Sequence, residues 1–166
     1  MKKLFVHSFK TSAGTVRTAA TDKGLAVIAL PCESRRAYED RIKKLFPDHE
    51  VTSGGTINKQ AERQISAFLN GRLKKFTVKL DPNGTVFQKK VWRRVAKIDY
   101  GRTMTYGEIA RAIDNAGASR AVGAANGANP LPLIVPCHRV VASTGLGGYG
   151  GGLKLKKRLL RMEGSL

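Results

Sequence analysis

Short runs rich in apolar and β-branched residues at 2–10, 14–21 and 25–30 read as strands, with Gly14 and Asp22-Lys23-Gly24 as the turns between them. From Glu33 to Phe46 the spacing turns helical: Tyr38, Ile42 and Leu45/Phe46 share one stripe, and Pro47 ends it. A second helix is expected from about Asn58 to Leu69, with Ala61, Ile65, Phe68 and Leu69 inward and Asn70-Gly71 as its stop. Phe76–Leu80 has the composition of one more strand. The first lobe therefore reads as α+β, a small antiparallel sheet with helices.

Asp81-Pro82-Asn83-Gly84 is the strongest boundary in the chain, dividing it into an α+β lobe (1–82) and a mainly helical domain (83–166). Thr85 can cap a helix running to about Ile98, with Val86/Phe87, Val91, Val95 and Ile98 apolar. Gly101 breaks the pattern, and Thr105 begins a short helix with Ile109, Ala112 and Ile113 inward. Asn115-Ala116-Gly117 is a turn, and a further helix covers about Ala118 to Asn126. Two short helices around a glycine-containing turn make a helix-turn-helix candidate. The second of them carries one long polar side chain, Arg120, among very small ones. Such a surface suits close approach to a DNA backbone or minor groove, and equally suits tight packing against a neighbouring helix. Leu131–Val135, fenced by Pro130, Pro132 and Pro136, cannot be helical and is expected to be short and extended. A last helix runs from about Leu153 to Glu163.

Charge narrows the partner. Lys and Arg number 30 against 12 Asp and Glu, a net +18 spread along 166 residues. Phosphate neutralisation drives binding from such surfaces, so nucleic acid leads, with a generally charged surface as the plain alternative. No apolar run approaches the roughly 18–20 residues of a membrane span, and Lys10, Arg17 and His7 interrupt the start before a signal-like core develops. A cytoplasmic protein is expected. The two cysteines, Cys32 and Cys137, lie far apart, and with His7, His49 and His138 they form no zinc-ligand spacing, so no metal and no other cofactor is expected.

Cys137 is the group with chemistry. The prolines before it supply a stiff mount, and His138 stands next in sequence as a base, acting directly or through one water. A base of this kind needs an orienting acceptor. No acid lies between Asp114 and Glu163, so a carboxylate drawn from this C-terminal region is one of those two. Glu163 falls on the stripe of Leu155 and Leu159, which should face the core, while the basic residues at 154, 156, 157, 158 and 161 mostly take the rest of that helix. Asn129 is a third polar group beside the motif, and the run Gly145-Leu146-Gly147-Gly148-Tyr149-Gly150-Gly151-Gly152 is either a wall that lets a flat ligand approach or a plain linker.

Pro136-Cys137-His138-Arg139-Val140 resembles the active-site motif of the O6-alkylguanine-DNA alkyltransferases. Phe87-Gln88-x-x-Val91-Trp92, Tyr100-Gly101-x-Thr103-x-Thr105-Tyr106, Arg120-Ala121-Val122-Gly123, Asn129-Pro130 and Gly151-Gly152-Leu153 fall in that family's order and spacing. The resemblance is strong from about residue 85 to the end. It implies a winged helix-turn-helix-like domain that binds duplex DNA as a monomer, flips an O6-alkylated guanine (with O4-alkylated thymine as a second candidate lesion) out of the stack, and moves the alkyl group irreversibly to Cys137. It implies that His138 and Glu163 activate Cys137, that Tyr106 assists the leaving base and that Asn129 holds the adjoining turn. DNA would meet Thr105, Tyr106, Arg120, Ala121, Gly123, Ala124, Asn126 and Arg139, with Arg120 filling the gap left by the base. Tyr106, Pro132, Val140, Tyr149 and Gly150 would line the pocket. The chain departs from the pattern at Asp99, where a proline is usual, and at Gly150, where some members carry serine. Two other classes fit parts of the sequence: a lesion-binding protein without catalysis, and a cysteine hydrolase, which leaves the charge and the helix pair unexplained.

Overall fold

The computed structural model describes residues 1–166, and their backbone contacts divide them into two units, Met1–Asn83 and Gly84–Leu166.

In the first unit β1 (Lys2–Thr11), β2 (Gly14–Ala20) and β3 (Leu25–Ala29) follow one another as antiparallel neighbours. A fourth strand, β4 (His49–Ser53), pairs in parallel with β1, so the sheet has the order β3-β2-β1-β4 and is mixed rather than purely antiparallel. Most of β4 is exposed at the sheet edge, and its sequence, His-Glu-Val-Thr-Ser, offers little apolar signal. Helix α1 (Arg35–Leu45), capped by Ser34, lays Tyr38, Ile42 and the following Phe46 on Leu4, Ala19, Val27 and Ala29. The Tyr38 hydroxyl donates to the Thr18 carbonyl at 2.7 Å, which satisfies the one polar atom that this ring buries. Helix α2 (Thr56–Leu69) is tied to the sheet by Asn58, whose Nδ2 donates to the Phe5 and Gly54 carbonyls. The strand expected at Phe76–Leu80 is absent. The segment is irregular and joins the sheet only at Leu80, where Lys79 and Asp81 exchange backbone hydrogen bonds with Leu25 and cover the edge of β3.

The second unit opens with α3 (Val86–Val95), whose Thr85 and Gln88 form a reciprocal capping box. Thr105 and Glu108 repeat the device at α4 (Tyr106–Ala112). Each box contributes on the order of 1 kcal/mol and fixes where its helix begins. A turn in which Asp114 takes a left-handed conformation leads to α5 (Ser119–Gly127), which packs on α3 and α4. Trp92 of α3 is buried and donates through Nε1 to the Ala125 carbonyl at 2.8 Å, locking α3 to α5. Two-residue strands β5 (Met104–Thr105) and β6 (Val140–Val141) pair in parallel. Helix α6 (Leu153–Glu163) ends at Gly164, left-handed at φ 82°. Gly101 sits against that end: a Cβ there would lie 3.0 Å from the Glu163 carbonyl oxygen, and its φ of +82° independently favours glycine. No helix of the chain is long and apolar enough to cross a membrane.

Candidate active site

The segment before Cys137 is a tight turn and not the extended piece expected. Val135 N–H reaches back to the Leu131 carbonyl at 2.9 Å, and Leu133 is held at φ 75° while almost wholly buried. Three prolines exclude a helix, but they do not select extension over a turn. Asn129 staples the turn from both sides. Its Nδ2 donates to the Val135 carbonyl at 2.8 Å, and its Oδ1 accepts from Leu131 N–H at 3.0 Å. Cys137, His138 and Arg139 then form one turn of 3₁₀ helix, so the alternation of faces expected for adjacent residues on a strand does not apply.

Cys137 is 6% exposed. Burial pushes its thiol pKa up, while Asn129 and the charge of Lys156 pull against that rise. A buried thiol held above its ordinary range needs a base to become a nucleophile. His138, the next residue, is fully buried. Its Nε2 lies 2.8 Å from Glu163 Oε1, which fixes the ring orientation and leaves the lone pair on Nδ1. Burial lowers the imidazole pKa and Glu163 opposes that shift, with the net result that His138 stands below its ordinary value and rests neutral at neutral pH. Burial alone would raise the Glu163 carboxyl, but hydrogen bonds from His138 and Arg139 outweigh it and hold the carboxylate ionised. Glu163 reaches the site because α6 turns Lys156, Leu159, Leu160 and Glu163 inward, with Leu155 only partly buried.

Arg139 is a correction. The sequence places it on DNA, but the structure buries it against the other side of Glu163, Nε to Oε2 and Nη2 to Oε1, both at 2.9 Å. Its Nη1 donates to the Ile98 carbonyl at 2.7 Å and its guanidinium stands 5.5 Å over the Tyr100 ring. A buried guanidinium needs a carboxylate, and Glu163 is the one present. Asn126 is likewise not on the exposed face of α5: it is 7% exposed and its Nδ2 donates to the Cys137 carbonyl at 3.4 Å. Arg120, Ala121 and Ala124 are exposed on that helix, Gly123 is half-buried beside the Tyr106 ring, and Thr105 caps α4. Of the expected pocket residues, Pro132 and Val140 are buried, Gly150 is exposed, and the Tyr149 ring meets His138 edge-on at 6.4 Å between centroids.

Two residues were missed. Lys156, expected among the solvated lysines of α6, has no exposed surface. Its Nζ donates to the Val140 carbonyl at 2.7 Å and to the Gly148 carbonyl at 3.0 Å, tying β6 to the glycine loop. The signal was its spacing of seven from Glu163, two helical turns on the same face. Gly147, at φ 70°, passes so close to Tyr106 that a Cβ would come within 2.9 Å of the phenolic oxygen. At Gly147, therefore, the glycine run is fitted closely to Tyr106.

A buried thiol next to a neutral histidine that is bonded to a buried carboxylate, beside a helix of small residues, is a set suited to a protein built around cysteine chemistry. Residues 86–165 match the family described as the 6-O-methylguanine DNA methyltransferase, DNA binding domain. The methylated-DNA–protein-cysteine methyltransferase of Methanosarcina acetivorans is 56% identical over 163 residues, covering 98% of this chain and 99% of that protein. Its counterpart in Methanosarcina mazei is 40% identical over 96% of this chain and 97% of its own length. Among solved structures, Mycobacterium tuberculosis OGT in complex with DNA superposes with a TM-score of 0.82 at 37% identity, over 97% of this chain and 93% of that one. The chain belongs to the methylated-DNA–protein-cysteine methyltransferase family.

Proposed function

We propose that this protein repairs duplex DNA by taking the alkyl group of an O6-alkylated guanine onto Cys137, once per molecule and acting as a monomer. The observation that carries the reading is the buried His138–Glu163 pair at 2.8 Å, on the residue that follows Cys137 in the same 3₁₀ turn. His138 takes the thiol proton, directly or through a water. The thiolate attacks the alkyl carbon, the carbon–oxygen bond breaks, and its electron pair returns to the purine. Tyr106 stands to support that charge, and the proton taken from sulfur ends on the ring nitrogen of the restored guanine. The product is a thioether, and a thiolate is too poor a leaving group for water to regenerate the site. Arg120 and the exposed small residues of α5 support an approach to the minor groove with the arginine entering the stack as the base leaves it.

The test is to incubate the protein with a duplex carrying O6-methylguanine and weigh it. One added methyl on Cys137, with burst-only kinetics, is expected. DNA binding without mass gain would leave a lesion-binding protein, and repeated turnover on an ester would make it a hydrolase.

A further inference from the structure

A side chain on an α-helix leans toward the helix N-terminus, so that of Arg111 lies back over the residue four before it. That residue is Gly107, which has no side chain to meet it. A Cβ built on Gly107 would stand 3.6 Å from Arg111 Nη1, 3.7 Å from Ser119 Oγ and 4.0 Å from Thr105 Oγ1. Donors from β5, α4 and α5 thus ring one hollow with a glycine floor. The Thr105 hydroxyl accepts from Glu108 N–H at 3.1 Å, which leaves its own proton to give. The Glu108 carboxylate is turned to Thr105 N–H at 2.8 Å, and Arg111 enters none of the chain's ion pairs. Arg111 is exposed, and Gly107 and Ser119 are half-buried, so the hollow opens to solvent. A guanidinium and two hydroxyls with no carboxylate among them suit a singly charged group that carries several acceptor oxygens.

The residue after Ser119 is Arg120, exposed on the same turn of α5 and proposed to enter the stack as the base leaves it. We infer that the hollow over Gly107 grips one backbone phosphate of the duplex, with Arg111 supplying the counter-charge and Ser119 and Thr105 a hydrogen bond each. The inference rests on the alkyl-transfer reading above and adds to it a fixed point on the DNA. A net charge of +18 attracts phosphates without choosing among them. A hollow of fixed donors selects one, and a phosphate held beside Arg120 sets the register in which a nucleotide leaves the stack.

Duplexes with one O6-methylguanine and a single uncharged methylphosphonate linkage, placed in turn at each position around it, test this by binding titration. The wild-type chain should lose about tenfold in affinity at one linkage, well beyond the loss at its neighbours. Arg111→Gln should lose as much on the unmodified duplex, show no further loss at that linkage, and give a log–log salt slope shallower by about one. Gly107→Ala is the second variant. Gly107 is not left-handed and the new Cβ meets its neighbours at ordinary contact distances, so the fold is kept while the methyl group occupies the floor of the hollow. Its binding should weaken too, with sensitivity to the same linkage reduced. Losses from Arg111→Gln and from the linkage that simply multiply, or variants that bind as the wild type does, overturn the assignment and leave Arg111 as a cover over the glycine. Failure of the wild-type chain to gain a methyl from a duplex it binds sinks the alkyl-transfer reading instead.

Discussion

Glu163 serves two donors with one carboxylate. His138 takes one oxygen and Arg139 spans both, so its loss frees the imidazole ring and leaves the arginine charge unpaired. Glu163→Gln leaves a buried guanidinium without its counter-charge. A stability loss of about 3–5 kcal/mol is expected in denaturant titration, together with a fall in methyl-transfer rate on the order of a hundredfold. His138 gives a second expectation, through pH. Its pKa in the folded protein lies below 6.5, so between that lower value and 6.5 the unfolded chain binds the proton first. Stability therefore declines as pH falls below about 6.5, and the acid limb of the transfer rate lies below that point too. Thermal melts and single-turnover rates across pH 5–8 check both. At this scale Cys137, His138, Glu163 and Asn129 were legible, because a lone reactive residue, its neighbour and the scarcity of acids are one-dimensional facts. Arg139 and Lys156 were not. Long basic side chains are solvated by default, and only a partner contributed by another element can bury them.

Among the elements, helices were the most readable, because apolar periodicity and the threonines before α3 and α4 announce them. The misreadings share a cause. β4 and the piece around Leu80 owe their positions to backbone pairing with distant strands, and the turn from Asn129 to Pro136 owes its shape to the Asn129 side chain. None of these leaves a periodic trace. Lys156 connects three such pieces, α6, β6 and the glycine loop. Lys156→Met keeps the length of the side chain and removes its donors. The exchange removes a buried charge that has no counter-ion and leaves the Val140 and Gly148 carbonyls without this donor, two opposing effects, so the melting temperature should move by only a few degrees. Transfer should slow by about tenfold or more as the loop beside Tyr106 and Tyr149 loosens. Rate and melting measurements on the same preparation separate the two effects, and a large drop in melting temperature with a normal rate would refute the role given to the lysine.

For the molecule as a whole, the residues of the proposed chemistry all lie within Gly84–Leu166, where 14 basic side chains face 4 acidic ones. Binding to duplex DNA should accordingly weaken steeply with salt, with a log–log slope of about −3 or steeper. Titrations between low and physiological ionic strength measure it, and a flat response would remove phosphate contact from the account.

The same excess of positive charge continues into the interior. Around the sulfur, Arg139 is balanced by Glu163 and His138 is neutral, so the Lys156 ammonium has backbone dipoles for company and no anion. The resting site is frustrated by one charge, and a sulfur anion is the natural relief for it. Alkylation closes that route for good. A thioether cannot ionise, and the spent protein must keep an ammonium buried with a permanently neutral sulfur beside it. The tension that helps make Cys137 reactive would thus outlive the reaction as a lasting weakness of the used molecule, distinguishing it from an unused one by stability alone.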